Sequence, residues 1–254
     1  MDKYNVYQDM SRRTGGEIYL GIVGPVRTGK STFIKRFMEL VVIPEMSDDN
    51  EKVRTIDELP QSADGKTIMT TEPKFIPKEA AVIHFSNQET GKIRLIDCVG
   101  YLVPEAVGAI EEEKERMVKT PWSEEEIPFS KAAEIGTSKV IREHSNLGLI
   151  ITTDGSFGDI PAVNFEEALQ KTVMECEKAG KPFLILVNTS RPDSQETIQF
   201  TKRLEAQYGK TVMAVNCKTM DREDVFRIME QLLADFPITR LNFLLPKWVE
   251  FLQP

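Results

Sequence analysis

The sequence predicts an α/β fold: a mostly parallel sheet with one antiparallel strand and helices on both faces. Three observations predict it. The apolar run Ile18 to Val23 leads into a Gly-rich loop, and apolar residues at helical spacing follow (Phe33, Ile34, Phe37, Met38, Leu40). Strand and helix patterns then alternate, which builds a doubly wound sheet with ligands at the C-terminal ends of its strands. Two strand patterns, 80–86 and 92–97, are joined by a short turn, NQETGK, which makes them an antiparallel pair.

In chain order, residues 1–16 are a polar lead-in. Residues 17–237 form the nucleotide-binding domain. The first helix ends near Leu40 to Ile43, stopped by Pro44. Residues 45–79 are polar and hold Pro60, Gly65, Pro73 and Pro77, so they read as a long loop. Residues 98–129 read as an insertion, with the run EEEKER (111–116) as a solvated helix or loop face. A helix follows from Ser130 to about His144, then a strand at 147–153. Asn164 is the expected N-cap of a helix to Ala179, with Gly180 past its end. A strand at 182–188, a helix from Ser194 to Tyr208 and a strand at 211–216 come next. Asp221 opens a last helix to Phe236. Residues 238–254 look like the start of a following region, because the chain stops at Pro254 after an apolar, aromatic segment.

Composition excludes several classes. Of 254 residues 41% are hydrophobic and 28% charged, enough for a sizeable core. A net charge of −8 argues against nucleic-acid binding and gives no attraction to anionic lipid. Cys98, Cys176 and Cys217 are too few for a disulfide framework or metal cluster and read as buried thiols in a reducing cytosol. No apolar run reaches a membrane span, and MDKYNVYQDMSRRTGG has no signal-peptide core. His84 and His144 read as structural.

Gly24 to Ser31 spell GPVRTGKS, a full G-x-x-x-x-G-K-[ST] match between strand and helix. This is a P-loop NTPase signature. Gly24 and Gly29 let consecutive N–H groups converge on phosphate oxygens, and the helix N-terminus adds its dipole. Gly24, Pro25, Val26, Arg27, Thr28, Gly29, Lys30, Ser31 and Thr32 are thus the expected phosphate cradle. Lys30 brings charge to the β- and γ-phosphates, and Ser31 offers a hydroxyl to Mg²⁺.

The strand LID ends at Asp97, 66 residues after Ser31, and Gly100 completes D-x-x-G. Asp97 is the expected Mg²⁺ holder, directly or through water, and the Gly100 N–H a γ-phosphate donor. In GKTIMTTEP, Thr70 or Thr71 supplies a hydroxyl that ligates Mg²⁺ and senses the γ-phosphate; the adjacent pair leaves the assignment open. Where Ras-like enzymes carry a water-orienting Gln, this chain has Tyr101, so slow intrinsic hydrolysis is expected. Arg27 stands where cation-dependent relatives carry an Asn that recruits K⁺, so its guanidinium is expected to supply that charge in cis.

Guanine-specific proteins place N-K-x-D after the fifth strand. Here Asn188 is kept, Thr189 replaces the Lys and Arg191 replaces the Asp. Arg has no acceptor for the guanine donors. Asp193 could reach in only through a shifted loop, which Pro192 constrains, so ATP is the expected nucleotide. NCKTM (216–220) departs likewise from a base-contacting S-A-K loop.

With GPVRTGKSTF, GKTIMTTEPKF, RLIDCVGY, TPW, AAEIGT, ITTDG and GDI, the chain from Ile18 to about Trp248 resembles the stage IV sporulation protein A family of endospore-forming bacteria. The resemblance implies the fold of translation-factor-type GTPases with ATP as substrate. It implies that hydrolysis drives irreversible self-assembly into the basement layer of the spore coat. Placement in the mother-cell cytosol at the forespore surface follows, with a membrane-binding partner, stage V sporulation protein M, and recruited coat proteins. Those contacts belong to C-terminal regions beyond this chain. By the same resemblance Lys30 is needed to bind ATP, while Thr70, Thr71 and Asp97 support hydrolysis. Two other readings compete: a GTPase switch, and a scaffold that binds nucleotide without turnover. A kinase reading is weaker, since no acceptor pocket or lid motif stands out.

Overall fold

The computed structural model describes residues 14–60, 72–84, 90–106, 110–111 and 114–234. Six strands form its centre: β1 (Glu17–Val23), β2 (Lys74–His84), β3 (Thr90–Asp97), β8 (Leu147–Thr153), β9 (Phe183–Asn188) and β10 (Val212–Val215). They make one sheet in the order β10-β9-β8-β1-β3-β2. All pairings are parallel except β2 with β3, the expected antiparallel pair.

Side-chain alternation divides the core between the two faces. Ile18, Leu20 and Ile22 of β1, Leu149 and Ile151 of β8, and Leu184 and Leu186 of β9 face one way. They meet Phe33, Ile34 and Phe37 of α1 (Lys30–Phe37) and Val225, Ile228 and Leu232 of α6 (Arg222–Ala234). Val23, Ile150, Ile185 and Val187 face the other way. They cover Val140 and Ile141 beyond α3 (Phe129–Lys139), Leu169 and Val173 of α4 (Glu166–Ala179), and Leu204 of α5 (Gln195–Tyr208). Each such aliphatic stabilises the fold by about 1.5–3 kcal/mol of transfer energy. The chain leaves β1 toward β3 on one side and continues from β8 on the other. The crevice at the end of β1 is therefore the topological switch point.

Several sequence expectations need correction. Pro44 does not stop the first helix. A π-turn, Met38–Val42, carries α1 into a helical turn, Ile43–Glu45, and Pro44 sits at the start of that turn, where its missing N–H costs nothing. Residues 45–79 are not one loop. They contain α2 (Asp49–Glu58) and the start of β2. The Asp48 side chain caps α2 by accepting from Asn50 N at 2.9 Å, and Glu58 accepts from Lys78 N at 2.9 Å. Val53 and Ile56 of α2 stay exposed, so local capping rather than an apolar stripe marks this helix. Pro77 is tolerated in β2 because it falls where the pairing slips between Ile76 and Ala81, on an edge strand.

The 98–129 stretch holds two small hairpins. These are β4 (Ile110–Glu111) with β5 (Lys114–Glu115), and β6 (Met117–Thr120) with β7 (Ser123–Pro128). The EEEKER run thus contributes strand residues rather than a helix or plain loop. Cation–π contacts seat this region on α3: Arg116 lies 5.2 Å from the Phe129 ring centre and Lys139 5.9 Å from that of Trp122. Asn164 is not an N-cap. It lies in a 3₁₀ turn, Ala162–Phe165, with its N–H on Pro161 O at 3.1 Å. Gly180 (φ 65°) does close α4, and Ser194 and Asp221 do cap the helices after them. His144 meets the Phe75 ring edge-on at 5.2 Å, as a structural histidine would. Among the described residues no helix is long and apolar enough to cross a membrane.

Candidate functional site

The loops after β1, β3, β8, β9 and β10 gather at the C-terminal ends of the parallel strands. The first is the phosphate loop. Gly24 (φ 130°) and Gly29 (φ 95°) take backbone conformations that L side chains rarely adopt. A Cβ on Gly24 would lie 2.3 Å from Ile151 O, and one on Gly29 2.4 Å from Asn188 Nδ2. Arg27 between them is exposed and also has positive φ, 62°. Thr28 Oγ1 donates to Pro25 O at 3.0 Å, and Phe33 N to Gly29 O at 2.9 Å as α1 begins. Inside this curl Lys30, 5% exposed, folds its ammonium back onto Pro25 O (2.5 Å) and Gly24 O (3.3 Å).

Parallel register sets Asp97 opposite Ile22, so β3 delivers its carboxylate beside the loop. Ser31 Oγ donates to Asp97 Oδ2 at 2.9 Å. Asp97 Oδ1 is buried and lacks a hydrogen-bond partner. An unsatisfied buried carboxylate oxygen is costly, and a divalent cation beside the Ser31 hydroxyl would satisfy it. No group of three or more His, Cys, Asp or Glu forms a cluster among the described residues. Thr70 and Thr71 lie outside the described residues. Burial pulls the Lys30 ammonium below its usual range, against the pull of Cys98 and Asp97. Burial likewise pushes Asp97 up, opposed chiefly by Lys30. Cys98, also buried, is pushed up to about 11 and stays an inert thiol.

Gly100 (φ 91°) lies on top of the phosphate loop; a Cβ there would sit 2.0 Å from Gly24 O and 2.8 Å from Lys30 Nζ. Val26 N donates to Tyr101 O at 2.9 Å, and Pro25 bridges to Tyr101. The Tyr101 side chain is 6% exposed and packs with Val26, Val103, Phe165 and Ala168. Burial, with Glu175 and Glu134 adding to it, holds its hydroxyl well above the usual tyrosine range. The side chain at the Gln place is therefore a core residue, not a water holder. Tyr101→Ala is expected to lose about 3 kcal/mol of stability yet keep hydrolysing. Loss of all turnover in that variant, with nucleotide binding intact, would refute this reading.

On the base side, Asn188 spends both ends of its amide. Nδ2 donates to Thr28 O and Oδ1 accepts from Cys217 N, each at 3.0 Å. It fixes the phosphate loop from behind. Thr189 is fully buried, while Arg191 is exposed and paired with Glu196 at 3.2 Å. Asp193 is exposed as well. Arg191 occupies the guanine-acceptor place and offers only donors. Sequence reasoning missed Asp154, whose Oδ2 accepts from Thr189 Oγ1 at 2.6 Å. Its signal was the strand-terminal aspartate of ITTDG.

Residues 1–237 match the family described as Stage IV sporulation protein A, ATPase domain. The chain belongs to this family. It is 50% identical over 253 residues to Stage IV sporulation protein A of Bacillus subtilis (strain 168) and 49% identical over 253 residues to that of Bacillus anthracis. It is 48% identical over 249 residues to that of Clostridioides difficile (strain 630). These matches cover 98–100% of this chain and 51% of each relative, so the chain spans about half the length of the curated relatives it matches. Lys30, Ser31, Asp97 and Gly100 stand together where the loops after β1 and β3 meet.

Proposed function

We propose that residues 17–237 bind and hydrolyse ATP with Mg²⁺, and that hydrolysis drives self-assembly of a spore-coat basement-layer protein. The observation that carries this reading is Ser31 hydrogen-bonded to Asp97 at 2.9 Å while the second carboxylate oxygen stays buried and unpartnered. Ser31 and Asp97 would hold the cation, together with Thr70 or Thr71. Mg²⁺ supplies charge neutralisation at the phosphate oxygens.

The chain's own residues do the rest. Backbone N–H groups of the phosphate loop orient the β- and γ-phosphates, and Lys30 leaves its carbonyl partners to pair with them. The Gly100 N–H fixes the γ-phosphate. A water adds to the γ-phosphorus as the bond to the β-phosphate oxygen breaks, releasing ADP and phosphate. Arg27 stabilises the charge that develops on that oxygen, from within the same loop. With Tyr101 in a core, no side chain at its place orients the water, and turnover is slow.

The γ-phosphate would hold residues 98–106 through the Gly100 N–H, and its loss would release them. Attachment through stage V sporulation protein M and recruitment of coat proteins would use regions beyond this chain, and the assembly would lie in the mother-cell cytosol at the outer forespore surface. The test is competition binding and phosphate release with ATP and GTP, in K⁺ and in Na⁺ buffers. ATP is expected to bind more tightly, with turnover alike in both salts. Tighter GTP binding would overturn the ATP reading, and a clear K⁺ requirement would overturn the role of Arg27.

A further inference from the structure

The base-side loop, 188–194, departs from guanine recognition in the two side chains that would touch the base, yet it is held rigidly. Its anchor comes from a different strand. The β8–β9 register pairs Thr153 with Asn188, which brings Asp154 alongside Thr189. The Thr189 hydroxyl, fully buried, donates to Asp154 Oδ2 at 2.6 Å and accepts from Arg191 N at 3.2 Å. Asp154 Oδ1 accepts from Ser156 N at 3.0 Å, and Ser156 Oγ in turn accepts from Ser190 N at 2.8 Å. Thr197 Oγ1 closes the far side by donating to Arg191 O at 2.9 Å. Residues 189, 190 and 191 are thus pinned in succession, and Asp154 supplies the charge-assisted bond among these contacts. Thr189 cannot cover a base from inside the protein. It is a strut.

We propose that Asp154 is the positioning residue of the nucleobase loop. Through Thr189 it sets where 190–193 meet the base, and so the affinity for nucleotide rather than the rate of hydrolysis. Asn188, one residue earlier, ties the same loop to Thr28 of the phosphate loop, so slack at Thr189 would loosen both ends of the nucleotide site. This rests on the reading that the chain binds ATP.

The test measures ATP binding by titration calorimetry and phosphate release for the wild type, Asp154→Ala, Thr189→Val, Thr189→Ser and the Asp154→Ala/Thr189→Val double variant. Either single loss is expected to raise Kd and KM for ATP about tenfold, with kcat at saturation within about twofold. The loss in the double variant should fall short of the sum of the two single losses, because both singles remove the shared Thr189–Asp154 bond. Thr189→Ser keeps the hydroxyl and should bind as the wild type does. Should Asp154→Ala not fold, the Thr189→Val and Thr189→Ser pair decides alone. Wild-type affinity in Thr189→Val, additive losses in the double, or a fall in kcat at unchanged KM would each overturn the proposal. A wild type that binds no ATP would overturn the function itself. A wild type that binds ATP beside an unaffected Thr189→Val would overturn this inference only.

Discussion

Lys30→Ala is expected to lower ATP turnover at least about 100-fold and to weaken ATP binding, while the protein stays folded. Lys30 is 5% exposed and its ammonium is tied to Pro25 O and Gly24 O, so it already stands inside the phosphate loop. Its loss takes one donor from Gly24 O and one from Pro25 O, which keeps the Thr28 hydroxyl, at a cost of about 1–3 kcal/mol. It also removes a desolvated charge, which offsets much of that cost. The melting temperature should therefore move little although activity vanishes. Lys30→Arg should not restore turnover, because a planar guanidinium does not fit a slot shaped for a compact ammonium. Phosphate release measured beside thermal melting checks both expectations. A Lys30→Ala protein that turns over ATP within threefold of the wild type would sink the phosphate-loop assignment. It would equally separate a scaffold that only binds nucleotide from an enzyme.

Gly100→Ala is the second large effect, and its cause is steric. A Cβ there meets Gly24 O at 2.0 Å and Lys30 Nζ at 2.8 Å, and the backbone stands at φ 91°. The lysine end could swing away, but a backbone carbonyl fixed by the end of β1 cannot. The loop after Asp97 must lift off the phosphate loop, breaking the Val26–Tyr101 bond and the bridge beside it. We expect turnover to fall about 100-fold with the loss of γ-phosphate contact, and stability to fall by about 2 kcal/mol from strain and overpacking. Gly209→Ala is the control: its φ is 62°, but nothing lies within 4 Å of the added Cβ. It should cost only about 1 kcal/mol of backbone strain and leave turnover unchanged. Equal behaviour of the two variants would show that the close approach of Gly100 to Gly24 has no functional weight.

Residue order is sufficient for whatever is encoded locally. The phosphate loop is contiguous, its glycines answer to backbone angles within the same few residues, and Asp97 is marked by the apolar strand it ends. The buried strands are continuous apolar runs, so sheet and layers were legible too. Helix α2 was less so: its signal lay in Asp48 and its neighbours, while the periodicity that normally marks a helix was missing because Val53 and Ile56 stay exposed. Features that depend on distant partners emerge only once the chain is folded. The charged strands between 110 and 128 gain their place from contacts with α3. Tyr101 could have faced the phosphate, and only the packing of Val26 and Phe165 turned it into a core residue. Thr189 reads as a lost lysine in the sequence, but the β8–β9 register makes it a strut on Asp154, 35 residues away. Such pairings cross sequence distances over which no local pattern carries information; they exist because buried polar groups must find partners, and the fold chooses which ones come within reach.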